Sequence, residues 1–188
     1  MDALVTTFVA AALAEWGDKT QLIVALLAAR SRRPLMVLAG LSAAALFSSA
    51  VAAFGGVLIG GMITIRAMGL MVALALLFAG VAGLLRKRAP EVPDLGRMPV
   101  FLTALGLCIV AEFGDRTQFL AFALAGRFDS LALAAAGTTA GILSAGIPAV
   151  LLGERLQSVV PVRAIRYGVA GLFLVTGFIV AVGALQLS

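Results

Sequence analysis

Two short acidic segments hold the residues whose types and spacing suit chemistry. One reads AEWGDKTQL over residues 14–22, and the other reads AEFGDRTQF over residues 111–119. Each supplies a glutamate, an aspartate and a glutamine, whose oxygen atoms are hard ligands that calcium and manganese(II) accept; magnesium fits less well because it gives up its water reluctantly. The sequence therefore predicts a divalent cation site with the metal ligands Glu15, Asp18, Gln21, Glu112, Asp115 and Gln118.

Composition excludes several other kinds of site. The chain has no histidine, and its one cysteine, Cys108, lies inside an apolar run. HExxH metalloproteases, Ser-His hydrolases and histidine-type zinc or copper sites are therefore excluded. One cysteine cannot form an intrachain disulfide or a cysteine cage. We expect that the protein is not an enzyme, that it has no prosthetic group, and that its metal ion is transported.

The elements that position these residues are predicted to lie in a membrane. Of 188 residues, 62% are hydrophobic and 12% are charged, and the mean hydropathy is +1.13. A soluble domain needs more polar surface than this. The net charge of +5 suggests a nucleic-acid partner, but the basic residues end apolar runs, and one Trp and one Tyr offer little base stacking. We therefore expect an all-α integral membrane protein whose partner is the lipid bilayer, not nucleic acid.

Six apolar runs are long enough to cross a bilayer of about 30 Å as helices. The breaks between them contain the charged residues, prolines and glycines that are typical of a membrane surface. A topology with an odd number of spans remains open if the region around Arg66 does not form a turn. The predicted spans are residues 3–29, 35–61, 67–85, 99–125, 131–152 and 165–187.

The second half of the sequence repeats the first. Glu15 and Glu112 are 97 positions apart, and the same offset without a gap pairs Gly40 with Gly137. We predict a first three-helix repeat at 1–85, a cytoplasmic linker at 86–98 and a second three-helix repeat at 99–188. Three is an odd number of spans, so the second repeat enters the membrane from the opposite face. Two inverted three-helix repeats are a common architecture of secondary transporters.

The distribution of Lys and Arg predicts the orientation. Only Arg66 and Arg127 lie on the side opposite the first, third and fifth loops. We therefore place loops 1–2, 3–4 and 5–6 in the cytoplasm and both termini outside. The N-terminal residues lack the basic region of a signal peptide and fit the first span better. The basic residues on the cytoplasmic side are Arg30, Arg32, Arg33, Arg86, Lys87, Arg88, Arg97, Arg155, Arg163 and Arg166.

Both acidic segments fall near the middle of their spans, where charge is usually functional. In a continuous helix Glu15, Asp18 and Gln21 lie about 60° apart and form one stripe. Thr20 and Thr117 point away from the glutamates, and we expect them to ligate a metal only if Gly17 or Gly114 breaks the helix. Otherwise these glycines provide close helix packing.

The charges suggest a mechanism. Lys19 and Arg116 each follow a glutamate by four residues, within salt-bridge reach on a helix. Four carboxylates and two cations leave two negative charges, which one divalent ion neutralises. When the ion leaves, protons replace it. This competition predicts an antiporter. A passive cation channel, a metal-dependent membrane enzyme and intrahelical salt bridges that only fix packing are the alternatives.

The motif E-x-G-D-[KR]-[ST], present twice, resembles that of the cation/calcium exchanger family related to transmembrane protein 165. The resemblance implies exchange of manganese or calcium ions for protons and covers essentially the whole chain. It also implies a prokaryotic plasma-membrane version, because eukaryotic members carry extra N-terminal targeting sequence. Preference between Mn²⁺ and Ca²⁺, stoichiometry and oligomeric state stay open. The matching residues are Glu15, Gly17, Asp18, Lys19 and Thr20, then Glu112, Gly114, Asp115, Arg116 and Thr117, with Gln21 and Gln118 beside them.

Overall fold

The computed structural model describes residues 1–85, 98–155 and 160–186. These residues form eight α-helices and one 3-10 turn, Gly153–Arg155, and none of them forms a β-strand. The predicted all-α class is confirmed. Most of the predicted linker, including Arg86, Lys87, Arg88 and Arg97, lies outside the described residues. The helices are α1 (Asp2–Glu15), α2 (Lys19–Ser31), α3 (Pro34–Gly60), α4 (Ile65–Leu84), α5 (Val100–Glu112), α6 (Arg116–Phe128), α7 (Leu131–Leu152) and α8 (Val162–Gln186).

Four helices, α3, α4, α7 and α8, are long and apolar enough to cross a membrane. Their ends lie within about three residues of the second, third, fifth and sixth predicted spans, a difference that is usual for helix boundaries. Large apolar side chains project outward from all four of them. Such a surface is unfavourable in water and matches lipid. Examples are Leu46, Phe47, Phe54, Leu74, Phe178 and Ile179.

The prediction of continuous helices over residues 3–29 and 99–125 is wrong. α1 ends at Glu15 and α2 begins at Lys19, while α5 ends at Glu112 and α6 begins at Arg116. Gly17 has φ +78° and Gly114 has φ +71°, a left-handed conformation that glycine adopts without steric cost. The single stripe of Glu15, Asp18 and Gln21 is therefore also wrong, because these residues lie on two different half-helices.

Helices of the first half pack against helices of the second half, and several of these pairs have a counterpart related by the repeat. α1 packs on α7, and its counterpart α5 packs on α3; α2 packs on α5, and α6 packs on α1. One buried apolar cluster joins α2, α3, α5 and α7. A second joins α1, α4, α6 and α8. We call residues 16–18 the first break and residues 113–115 the second break. Both breaks lie where helices of these two clusters meet.

Two glycine seams repeat the same contact in the two halves. Gly40 of α3 lies against the carbonyl of Phe101 and the side chain of Ala104 on α5. Gly137 of α7 lies against the carbonyl of Leu4 and the hydroxyl of Thr7 on α1. Every residue of one seam is 97 positions from its counterpart in the other. A Cβ atom at either glycine would overlap the facing backbone, so only glycine permits this approach.

Candidate metal centre

The two breaks bring acidic residues of both halves together. Carboxylate oxygens of Glu15, Asp18 and Asp115 lie within 4.8 Å of one another. Oxygens around one calcium or manganese ion have this separation, because each lies about 2.1–2.6 Å from the metal. The convergence of residues nearly a hundred positions apart is what a shared site requires.

Glu112 is the fourth acidic residue near this group. Its side chain is buried at the end of α5, and its charge acts on Glu15. Glu15 and Asp18 are also buried, while Asp115 is partly exposed. Four carboxylates in an apolar helix assembly, three of them buried, need cations or protons to offset their charge.

Gln21 and Gln118 hold the breaks in shape. The Gln21 Oε1 atom accepts the Gly17 N–H at 3.0 Å, and the Gln118 Oε1 atom accepts the Gly114 N–H at 2.8 Å. Gln21 also donates through Nε2 to the carbonyl of Ala145 on α7 at 3.2 Å. These contacts satisfy backbone groups that the breaks expose. The predicted ligation of a metal by the two glutamines stays a prediction.

The two basic residues bridge from one break to the other. Lys19 Nζ lies 3.7 Å from Asp115 Oδ1, and Arg116 Nε lies 3.6 Å from Asp18 Oδ2. Arg116 also donates through Nη2 to the carbonyl of Ala14. The predicted pairing along one helix assumed a continuous helix, and the breaks remove that geometry. The ion pairs instead fasten the two halves together.

Thr117 reaches the site because the helices break. Thr117 donates its hydroxyl to Glu15 Oε1 at 2.5 Å, and Thr20 is buried at the corresponding position. Thr117 acts in this geometry as a hydrogen-bond donor to a carboxylate. The sequence places both threonines outside the ligand set unless a glycine breaks the helix; the helices do break at Gly17 and Gly114, and metal ligation by the threonines stays a prediction.

Access to the two breaks differs. A Cβ atom at Gly17 would lie 2.9 Å from Val162 Cγ1 and 3.3 Å from Arg166 Cβ, both at the start of α8. A Cβ atom at Gly114 would meet nothing within 4 Å among the described residues. A cavity of about 510 Å³ adjoins this second break; its lining includes Gly114, Asp115, Gln118, Phe119 and Phe122. Within the part of the chain that the structure describes, the first break is covered by α8 and the second is open.

Known proteins support the interpretation of the motif. The family described as "Divalent cation/proton antiporter GDT1" matches residues 3–91 and again residues 100–188. A protein of Vibrio cholerae serotype O1 named "Putative manganese exporter" is 32% identical over 175 residues, which cover 93% of this chain and 88% of the relative. No solved structure matches the chain.

These matches confirm the resemblance that the two motifs predict. The family consists of membrane transporters, so the enzyme alternative is excluded, and the apolar helices are those of a multi-pass membrane protein. Its substrates are divalent cations, which agrees with the oxygen-rich group at the breaks. The chain belongs to the divalent cation/proton antiporter GDT1 family.

Proposed function

We propose that this chain exchanges Mn²⁺ or Ca²⁺ for protons at one site shared by its two repeats near the middle of the membrane. The observation that carries this proposal is the group of Glu15, Asp18 and Asp115 oxygens within 4.8 Å of one another. Glu112 completes the ligand set as the ion enters. The amide oxygens of Gln21 and Gln118 lie at the glycines of the two breaks and can join the same set. The name of the Vibrio cholerae relative favours manganese as the first ion to test.

The proposed topology has six spans in two inverted repeats, 1–85 and 99–188. α1 with α2 and α5 with α6 each cross the membrane as a pair of half-helices, and each of the four long helices crosses alone. The packing between the two halves and the two glycine seams support this arrangement. Transporters commonly bind ions at such interrupted helices, where backbone groups are available at mid-membrane depth.

In the proposed exchange, the starts of α4 and α8 alternate between two arrangements. In the described arrangement, α8 covers the first break, while its counterpart α4 leaves the second break uncovered. If the loop between α7 and α8 is cytoplasmic, as the basic residues predict, this arrangement opens toward the outside. The opposite arrangement has α4 on Gly114 and α8 withdrawn from Gly17.

The electrostatic balance links the metal ion to protons. Four carboxylates with Lys19 and Arg116 leave two negative charges, and a divalent ion neutralises them. When the ion leaves, two protons can replace it on the carboxylates, because an uncompensated charge is costly in this setting. Each change of arrangement then carries either a metal ion or protons.

Transport by purified protein in liposomes tests the proposal. Vesicles hold equal Mn²⁺ concentrations on both sides, and a proton gradient is applied across the membrane, directed inward in one experiment and outward in another. We expect Mn²⁺ to accumulate against its own gradient in the direction opposite to proton flow. Movement that only ever runs down the Mn²⁺ gradient would instead identify a passive channel. Asp115→Asn vesicles are the matched control, and they should not accumulate the ion.

A further inference from the structure

Arg166 lies beside the first break although it belongs to the second repeat. Its position at the second residue of the predicted span 165–187 puts it with the cytoplasmic charges; α8 begins at Val162, so Arg166 lies about one turn inside the helix. A Cβ atom at Gly17 would lie 3.3 Å from Arg166 Cβ. Its charge acts on that of Arg116, which is buried in the metal centre. Arg166 therefore places a further positive charge near Arg116 and the first break.

The side-chain contacts of Arg166 do not account for a purely structural role. Its guanidinium lies 5.1 Å from the centre of the Tyr167 ring, and Nη2 donates to the Tyr167 hydroxyl at 3.4 Å. The Nε atom is buried without a hydrogen-bond partner among the described residues. A buried guanidinium N–H without a partner is unfavourable. The described contacts thus leave this charge incompletely compensated next to the site.

The first repeat has no equivalent charge. The counterpart of Arg166, 97 positions earlier, is Gly69, whereas the neighbouring Arg163 is matched by Arg66. When α4 covers the second break in the opposite arrangement, it therefore brings a glycine where α8 brings an arginine. The two arrangements differ by one positive charge at the metal centre.

We propose that Arg166 lowers the affinity of the site for a divalent ion in the arrangement that opens toward Gly114, and so favours release of the ion on that side. α8 carries the guanidinium toward the carboxylates when it covers Gly17 and removes it when it withdraws. Gly69 has no such effect in the opposite arrangement. The site then binds the metal more tightly on the face of the α7–α8 loop than on the face that carries the termini. This inference rests on the proposed antiport function.

Half-saturating Mn²⁺ concentrations measured from the two faces of the membrane test this inference. Right-side-out and everted vesicles carrying the full chain provide the two faces. We expect half-saturation at the face of the termini to need about tenfold more Mn²⁺ than at the other face. This is the effect expected when one unit charge repels a divalent ion in a partly buried site. In Arg166→Gln the difference should fall to about twofold or less, whereas Arg166→Lys should retain it.

Arg163→Gln is the matched control. It removes an equal charge from the same end of α8, but the Arg163 side chain is exposed. It should keep the wild-type difference. Gly69→Arg provides a second test that does not depend on an Arg166 variant. A cavity of about 530 Å³ beside Gly69 has room for the longer side chain, but a Cβ atom there would lie 3.2 Å from Ala184 Cβ, so size-exclusion chromatography must show that the variant folds. It should raise half-saturation at the face of the α7–α8 loop.

Three results separate the outcomes. A purely structural role for Arg166 would change the maximal rate and leave the ratio between the faces unaltered, and this would overturn the inference. Equal half-saturation at both faces of the wild type would also overturn it. Absence of proton-driven Mn²⁺ transport in the wild type would contradict the proposed function itself.

Discussion

The two breaks have nearly the same sequence and backbone but different surroundings. Trp16 and Phe113 occupy equivalent positions with the same dihedral angles, φ −65° and ψ 120°. Gly17 is nevertheless buried, whereas Gly114 is exposed, and Phe113 keeps 73% of its surface accessible. The motif therefore sets the shape of each break, while the start of α8 or α4 decides whether that break is covered.

The ion pairs show the same asymmetry. Arg116, from the open break, reaches into the covered one, where its side chain is 2% exposed and Asp18 is fully buried. Lys19, from the covered break, reaches outward to Asp115 and stays 36% exposed. One ion pair is thus locked inside the protein, and the other borders the cavity. This difference indicates which pair can separate as an ion enters.

The largest expected effect follows from neutralising a carboxylate in either break. Glu15→Gln and Glu112→Gln should each reduce Mn²⁺ transport by about 100-fold or more, and Asp18→Asn and Asp115→Asn should do the same, because each removes one negative charge from the proposed metal site. Transport is measured in everted vesicles, with size-exclusion chromatography to confirm a folded protein. Asp129→Asn, at the exposed end of α6, is the control. Full activity in all four variants would show that the site lies elsewhere.

The next effect distinguishes the two cations. Arg116→Gln removes the guanidinium beside the buried Asp18 carboxylate and should cost about 3 kcal/mol of stability. Lys19→Gln removes a half-exposed pair and should cost about 1 kcal/mol or less. Thermal unfolding in detergent measures both. Equal losses would contradict the distinction between a locked pair and an accessible one.

A smaller difference is expected between the two glycines. Alanine at either position incurs about 1 kcal/mol because φ is positive. Gly17→Ala adds an overlap with Val162, whose Cγ1 atom would lie 2.9 Å away, and should unfold at a lower temperature than Gly114→Ala. Val162→Ala in the Gly17→Ala background removes the overlap and should restore part of the loss. If Gly114→Ala is the less stable variant, α8 does not cover the first break in solution.

The smallest expected effect is a change in pH dependence. Lys19→Ala removes a positive charge from the metal centre, so protons are held there more strongly and release at a higher pH. The pH of half-maximal transport should therefore rise by about one unit or less. A pH series in vesicles measures it, and Arg32→Gln, exposed at the end of α2, should leave the profile unchanged. A fall in the midpoint would contradict the sign of this argument.

The sequence predicts the composition of the site better than its geometry. Four carboxylates from two copies of one motif were expected to converge, and the oxygens of three of them do. The helix breaks were foreseen only as an option for Gly17 and Gly114. An isolated glycine in an apolar run is equally consistent with close packing, so periodicity favours a continuous helix. With the helix continuous, Thr117 points away from Glu15, and its hydrogen bond could not be predicted.

Other features depend on contacts between distant parts of the chain. The pairing of Arg116 with Asp18 follows from how the two halves meet, which the spacing within one motif does not determine. Arg166, the second residue of the predicted sixth span, is a cytoplasmic end charge on the sequence; its place beside Gly17 follows only from how α8 packs against the first break. The open second break could not be predicted either, since the two motifs differ only in Trp16 for Phe113, Lys19 for Arg116 and the terminal Leu22 for Phe119.

The glycine seams constrain how the molecule can move. Each seam holds two helices of different halves at backbone contact, so sliding one helix along the other would force a side chain into the facing main chain. We therefore expect α3 with α5, and α7 with α1, to behave as rigid bodies while α4 and α8 swing. A methyl group added at Gly40 or Gly137 should be equally harmful in both alternating states, unlike one added at either break.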